Sequence, residues 1–185
     1  MRIFVCIKEV PDTTDVKIDS ETGTLIRAGV PSILNPFDMS ALEEALQLKD
    51  KNPSVKVTVI CMGPPQTEKN LRETIAMGAD DVYLLTDREF AGADTWATSY
   101  TISTAIKYLG GADIIFAGKQ AIDGDTAQTG PGLAEWLDIP QITFVRKVCE
   151  VKDGKIVAER SRDFGYDLVE AELPALVTII KGEKA

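Results

Sequence analysis

The sequence contains no histidine and only three cysteines, Cys6, Cys61 and Cys149, which stand far apart and form no Cys-x-x-Cys pair. Without histidine the commonest nitrogen ligand for zinc is missing, and so is the usual general base. Both absences argue against a zinc site and against serine or cysteine triads. No apolar run approaches the roughly 20 residues that a membrane-crossing helix requires, so membrane insertion is not expected. The opening residues, Met1 to Lys8, become charged too soon for a secretory leader and read as a strand. An odd number of thiols without a leader points to reduced cysteines and a cytoplasmic setting. Excess basic charge is also lacking. The net charge of −9 argues against nucleic acid or an anionic membrane as the main partner. A nucleotide stays open, because it needs only a local nest of donors.

At 185 residues, with 44% hydrophobic and 26% charged side chains, the chain is long enough to bury a core as a single domain spanning residues 1–185. Short β-branched runs at residues 2–7, 55–61, 81–85 and 113–117 predict strands. Amphipathic stretches starting near Asp38, Thr67 and Asp94 predict helices between them, with Asp38 and Asp94 as N-caps and Gly78 as a C-terminal stop. Strands alternating with helices imply an α/β fold, an open parallel sheet covered on both faces. Residues 8–31 form a long polar excursion, with one weak hairpin through residues 16–18 and 24–26. From residue 141 the texture changes. Residues 142–151, 155–162 and 167–172 read as a C-terminal antiparallel extension (141–172), turning at Lys152-Asp153-Gly154 and Phe164-Gly165. Residues 175–180 read as a buried strand returning to the main sheet.

One stretch stands out: Gly118-Lys119-Gln120-Ala121-Ile122-Asp123-Gly124-Asp125-Thr126-Ala127-Gln128-Thr129-Gly130. It follows a predicted strand and opens a predicted helix, with Pro131 in the first turn. Small residues at a helix N-terminus leave unpaired N–H groups and a positive dipole end facing the turn, which suits an anion. The plainer reading is that Asp125, Thr126 and Thr129 only cap the helix. The stretch matches neither Gly-x-x-x-x-Gly-Lys-Ser/Thr nor Gly-x-Gly-x-x-Gly. Strand order would gather Cys6 to Lys8, Cys61 to Gly63, Thr86 to Arg88 and Gly118 to Gln120 along one sheet edge, with Asn35 nearby. Backbone N–H groups of Asp125 to Thr129, with the Thr126 and Thr129 hydroxyls, would hold phosphate there, and Asn35 would meet a sugar or base. Cys6 and Cys61, ending adjacent strands, are expected to be buried, unbridged and redox-inactive.

Several motifs together resemble the β subunit of electron-transfer flavoproteins. They are Asn35-Pro36-Phe37, Ala76-Met77-Gly78-Ala79-Asp80, the run from Gly118 to Asp123 onward, and residues 157–178 ending Leu173-Pro174-Ala175-Leu176-Val177-Thr178. The family differs at the positions of Phe164 and Asp167. The resemblance implies a Rossmann-like fold of adenine-nucleotide-binding type and an α-subunit partner. It places AMP or FAD against Cys6, Asn35, Pro36, Phe37, Asp38, Cys61 and the whole stretch from Gly118 to Thr129. Val10-Pro11-Asp12-Thr13 and the run from Asp87 to Thr98 resemble the electron-bifurcating branch. That likeness implies FAD in place of AMP, with Pro11, Asp12, Arg88, Thr95, Ala97 and Thr98 around it. It also implies NADH as hydride donor, ferredoxin or flavodoxin as one electron acceptor, and an acyl-CoA dehydrogenase-type flavoenzyme reached through the α-subunit FAD as the other. Small residues Ala91, Gly92 and Ala93 would let a planar ring approach backbone. The family continues past residues 175–180 into an arm around the α subunit, and that arm is expected to be absent here. Two other readings stay open: a non-bifurcating β subunit with structural AMP, and a stand-alone adenine-nucleotide-binding regulatory domain.

Overall fold

The computed structural model describes residues 1–12 and 31–180. Its first strand, β1 (Arg2–Cys6), leads to a small antiparallel ribbon of β2 (Glu9–Pro11) and β3 (Ser32–Leu34). Helix α1 (Pro36–Lys51) returns the chain to β4 (Lys56–Met62). A 3-10 turn, Pro65–Thr67, then runs into α2 (Glu68–Met77), which ends at Gly78 with φ +124°. β5 (Asp81–Leu85), α3 (Thr95–Tyr108), β6 (Ile114–Gly118) and α4 (Thr129–Leu137) complete the alternation. The chain closes with β7 (Gln141–Lys152), β8 (Lys155–Ser161), β9 (Tyr166–Glu172) and β10 (Ala175–Ile179). The hairpin expected at residues 16–18 and 24–26 lies outside the described residues.

The large sheet runs β5-β4-β1-β6-β10-β7-β8-β9. Pairings from β5 through β7 are parallel, and β8 and β9 add on antiparallel. Each central strand is apolar on both sides because both sides are covered. Ile3, Val5 and Ile7 pack with Ala41, Leu42 and Ala45 of α1 and Leu71 of α2. Phe4, on the opposite face, packs with Ile102 and Ile106 of α3 and Leu133 and Ala134 of α4. The α/β fold, the helices on both faces and the antiparallel extension are as the sequence predicts.

One boundary is corrected. The segment from residue 142 was expected to be antiparallel throughout, but β7 changes partners along its length. Gln141, Ile142 and Val145 pair parallel with β10, and Val145 to Lys152 pair antiparallel with β8. The register shifts around Phe144, whose φ is +60° and whose N–H donates to the Thr178 hydroxyl at 3.1 Å. A bulge of this kind bends the strand and re-aims its outer half. At the next corner Asp153 and Gly154 both have positive φ, as a tight two-residue hairpin turn demands. Among the described residues, no helix is long and apolar enough to cross a membrane.

Candidate nucleotide crevice at the sheet edge

β1 and β6 are hydrogen-bonded neighbours as far as Cys6 and Ala117. Beyond that point they part. The Ile7 N–H turns to the Ile60 carbonyl of β4 at 2.9 Å, while the Lys119 N–H turns to the Ile179 carbonyl of β10 at 2.7 Å. The two strands thus part at their carboxyl ends, where their crossovers run in opposite directions, and this parting is the candidate crevice. Open α/β sheets bind ligands at this switch point.

Asp38 wedges the crevice open. It lies in the first turn of α1 and is buried. Its two carboxylate oxygens accept the Lys8 N–H at 2.8 Å and the Gly118 N–H at 3.0 Å, the donors orphaned as the strands diverge. It was expected to cap α1, but the cap position belongs to Asn35, and no side chain caps that helix end. Burial pushes the Asp38 carboxyl up to about 7, opposed by those N–H donors and by the Asn35 amide. Gly118 has no room for a side chain. A Cβ there would lie 2.7 Å from the Phe37 Cβ and 2.8 Å from the Asp38 nitrogen.

The loop after β6 is fastened from below. Buried Asn35 donates from Nδ2 to the Gln120 carbonyl at 2.8 Å and accepts the Ile122 N–H at 3.3 Å. Its amide thus anchors the loop, a different use from the sugar or base contact expected of it. Lys8 reaches across from β1, its Nζ 2.7 and 2.8 Å from the two oxygens of Asp123. Gln120 Nε2 donates to Asp125, and the Asp125 N–H closes a turn onto the Ala121 carbonyl at 2.9 Å. Asp125 and Ala127 both adopt positive φ, +53° and +54°. For alanine that is uncommon, and it aims successive N–H groups away from their usual partners. Among the described residues, the N–H groups of Thr126 to Gly130 have no hydrogen-bond acceptor. No side chain caps α4 either. The plain-cap reading of Asp125, Thr126 and Thr129 does not hold. Gly130 keeps this helix end close over the sheet, since a Cβ would lie 2.8 Å from Thr178 Cγ2.

The remaining candidates border the crevice unequally. Cys6 ends β1, next to β6, and Cys61 lies one strand away, on β4. Burial pushes both thiols up, Cys61 to about 12. Thr95, at the start of α3, donates to Gln128 Oε1 at 3.2 Å, which brings the loop after β5 against the loop after β6. Asp94 caps α3 as predicted, accepting the Ala97 N–H at 2.8 Å, and the Thr98 N–H bonds its carbonyl. Ala91, Gly92 and Ala93 are exposed. Trp96 packs on Trp136 of α4, with ring centroids 4.4 Å apart. Arg88 follows β5, two strands from β1, and makes no ion pair among the described residues. Pro11 and Asp12 end the β2–β3 ribbon. That ribbon is tied to the β4 side, because Glu9 accepts from Thr67 Oγ1 and Asn70 Nδ2. Phe37 lies against Lys119, whose Nζ is 5.8 Å from the ring centroid. Strand order places Lys8 on this edge, but nothing in the sequence signals its pairing with Asp123, 115 positions away.

Strand order and crevice together define an open α/β sheet of the Rossmann type. Residues 22–183 match the electron transfer flavoprotein domain. The chain is 54% identical over 181 residues to the caffeyl-CoA reductase–Etf complex subunit CarD of Acetobacterium woodii, covering 98% of this chain and 69% of that protein. It is 59% identical over 181 residues to the electron transfer flavoprotein subunit beta of Clostridium acetobutylicum, again covering 98% and 69%. To the acryloyl-CoA reductase electron transfer subunit gamma of Anaerotignum propionicum it is 51% identical over 183 residues, covering 98% and 68%. The chain belongs to the electron transfer flavoprotein family, on the β-subunit side.

Proposed function

We propose that this chain is the β subunit of a heterodimeric electron-transfer flavoprotein and holds FAD in the crevice between β1 and β6. The complex draws electrons from NADH. It passes them to a low-potential carrier, ferredoxin or flavodoxin, and through the α-subunit FAD to an acyl-CoA dehydrogenase-type flavoenzyme. The observation that carries this reading is the juxtaposition of two loops. One presents unpaired amides at a helix start. The other, joined to it through Thr95 and Gln128, presents the exposed run Ala91-Gly92-Ala93. The first suits a diphosphate and the second leaves space for a ring system, so the residues fit the group. Two relatives named above as electron-transfer subunits of CoA-ester reductases support the direction of electron flow.

FAD, when bound, supplies hydride acceptance and one-electron transfer. The chain's own residues position and shield it. The amides of Thr126 to Gly130 and the Thr126 and Thr129 hydroxyls hold phosphate. Thr95 and Thr98 offer hydroxyl donors, and Arg88 offers a positive charge from the β5 side. The test is to purify the chain with its α subunit and count FAD per dimer by absorbance. Two FAD are expected, together with NADH-dependent reduction of a low-potential carrier. Ala93→Leu is expected to leave one FAD, retain AMP binding and abolish that reduction. A wild-type dimer holding a single FAD and one AMP would overturn the bifurcating reading in favour of structural AMP.

A further inference from the structure

Lys8 and Asp123 form an ion pair across the mouth of the crevice, and its two members are buried very differently. The Asp123 side chain is 4% exposed, whereas that of Lys8 is 43% exposed. Among the described residues, no other cation pairs with Asp123. A buried carboxylate inside a loop of anion-seeking amides is a liability. It competes for the same donors and repels any phosphate brought to them. The second loop carboxylate, Asp125, is exposed and already bonded to Gln120, so the problem is specific to Asp123. Lys8 is held to the task from both ends. Its own N–H is fixed by Asp38, and its ammonium is bidentate on Asp123.

We infer that Lys8 is a positioning residue for phosphate binding. It neutralises Asp123 and draws it to the β1 wall, so that the loop's amides, and not its carboxylate, face the ligand. This rests on the reading of that loop as the phosphate site. The ligand class it favours is a nucleoside phosphate over the bare nucleoside. The proposed role runs through Asp123, to which two of the three ammonium donors are committed.

The experiment is calorimetric titration of the chain paired with its α subunit and first freed of the nucleotide in this crevice, using AMP and adenosine as probes. The variants are Lys8→Met, Lys8→Arg, Asp123→Asn and the double variant Lys8→Met/Asp123→Asn. Lys8→Met is expected to weaken AMP at least tenfold and adenosine less than twofold. Asp123→Asn should lose less AMP affinity than Lys8→Met, since it loosens the tie but leaves no carboxylate to face the phosphate. The double variant should recover most of the loss, and Lys8→Arg should retain affinity. Equal losses for AMP and adenosine in Lys8→Met would mean a merely structural role. A double variant as weak as Lys8→Met would mean that Lys8 meets the phosphate directly. Either result overturns the inference while leaving the phosphate site intact. A wild-type dimer that binds neither probe overturns the phosphate site itself, and the inference with it. If Lys8→Met fails to fold, Lys8→Gln with and without Asp123→Asn makes the same comparison.

Discussion

The loops after β6 and after β5 leave the same sheet edge, yet they are held in different ways. The loop after β6 is fastened by residues distant in sequence: Asp38 holds Gly118 from 80 positions away, Asn35 holds Gln120 from 85, and Lys8 holds Asp123 from 115. The loop after β5 is shaped by its neighbours. Asp87 accepts the Glu89 N–H two residues on, and Asp94 accepts the Ala97 N–H three residues on. Long-range anchoring fixes a loop before any ligand arrives, so little ordering cost falls on binding. Local capping leaves a loop's outer surface free to differ without disturbing the fold. The two halves of the proposed ligand thus meet a built wall and an open one.

Gly118→Ala should break that contrast most severely. The added methyl collides with Phe37 and with Asp38, the wedge itself, and overpacking of this kind costs about 1–3 kcal/mol. Chemical denaturation should show the loss, and affinity for AMP and FAD should fall with it. Ala93→Leu, on the open wall, should change stability by no more than about 0.5 kcal/mol, as exposed substitutions do. Next in size is the Thr126→Val, Thr129→Val pair. A hydrogen bond to a charged group contributes about 1.5–3 kcal/mol, so losing two donors should weaken nucleotide binding tenfold or more in calorimetry. Stability should not change, since neither hydroxyl caps α4. Unchanged affinity would move the phosphate to another surface.

The last effect is one of pH. The Asp38 carboxyl is raised from its ordinary 3.8 to about 7 in the fold, chiefly by burial. A carboxyl with a higher pKa folded than unfolded binds its proton in the fold first. Stability therefore falls as pH rises through the window from about 4 to about 7. Asp38→Asn should flatten that slope in pH-dependent melts, at the cost of lower overall stability, because an amide cannot accept from both the Lys8 and Gly118 N–H groups. A slope identical to wild type would show that Asp38 stays ionised throughout.

What the sequence revealed follows the same division between local and distant. Asp94 was legible as a cap because capping is a contact between residues three apart. The four central strands were legible because burial on both faces leaves continuous apolar runs. Asp38 was misread as a cap, since its partners, Lys8 and Gly118, become neighbours only when the sheet assembles. The same holds for Asn35, whose amide meets the loop from beneath. The parallel half of β7 was missed because apolar alternation reports which face is buried and not which way the neighbouring strand runs. The phosphate loop was visible as an unusual density of small residues, but its positive-φ turns at Asp125 and Ala127 carry no composition signal, as neither is glycine.

The packing of Trp96 on Trp136 has a consequence for measurement. These are the only two tryptophans in the sequence, and they share one contact in the seam between α3 and α4. Thr95, the neighbour of Trp96, bonds Gln128 at the crevice, and Trp136 rides on the helix that the phosphate loop opens. All indole fluorescence from this chain therefore originates at one place. A flavin settling nearby would quench it by energy transfer, and a shift of α3 against α4 would change its colour. The molecule carries its own optical gauge of site filling, readable without a label.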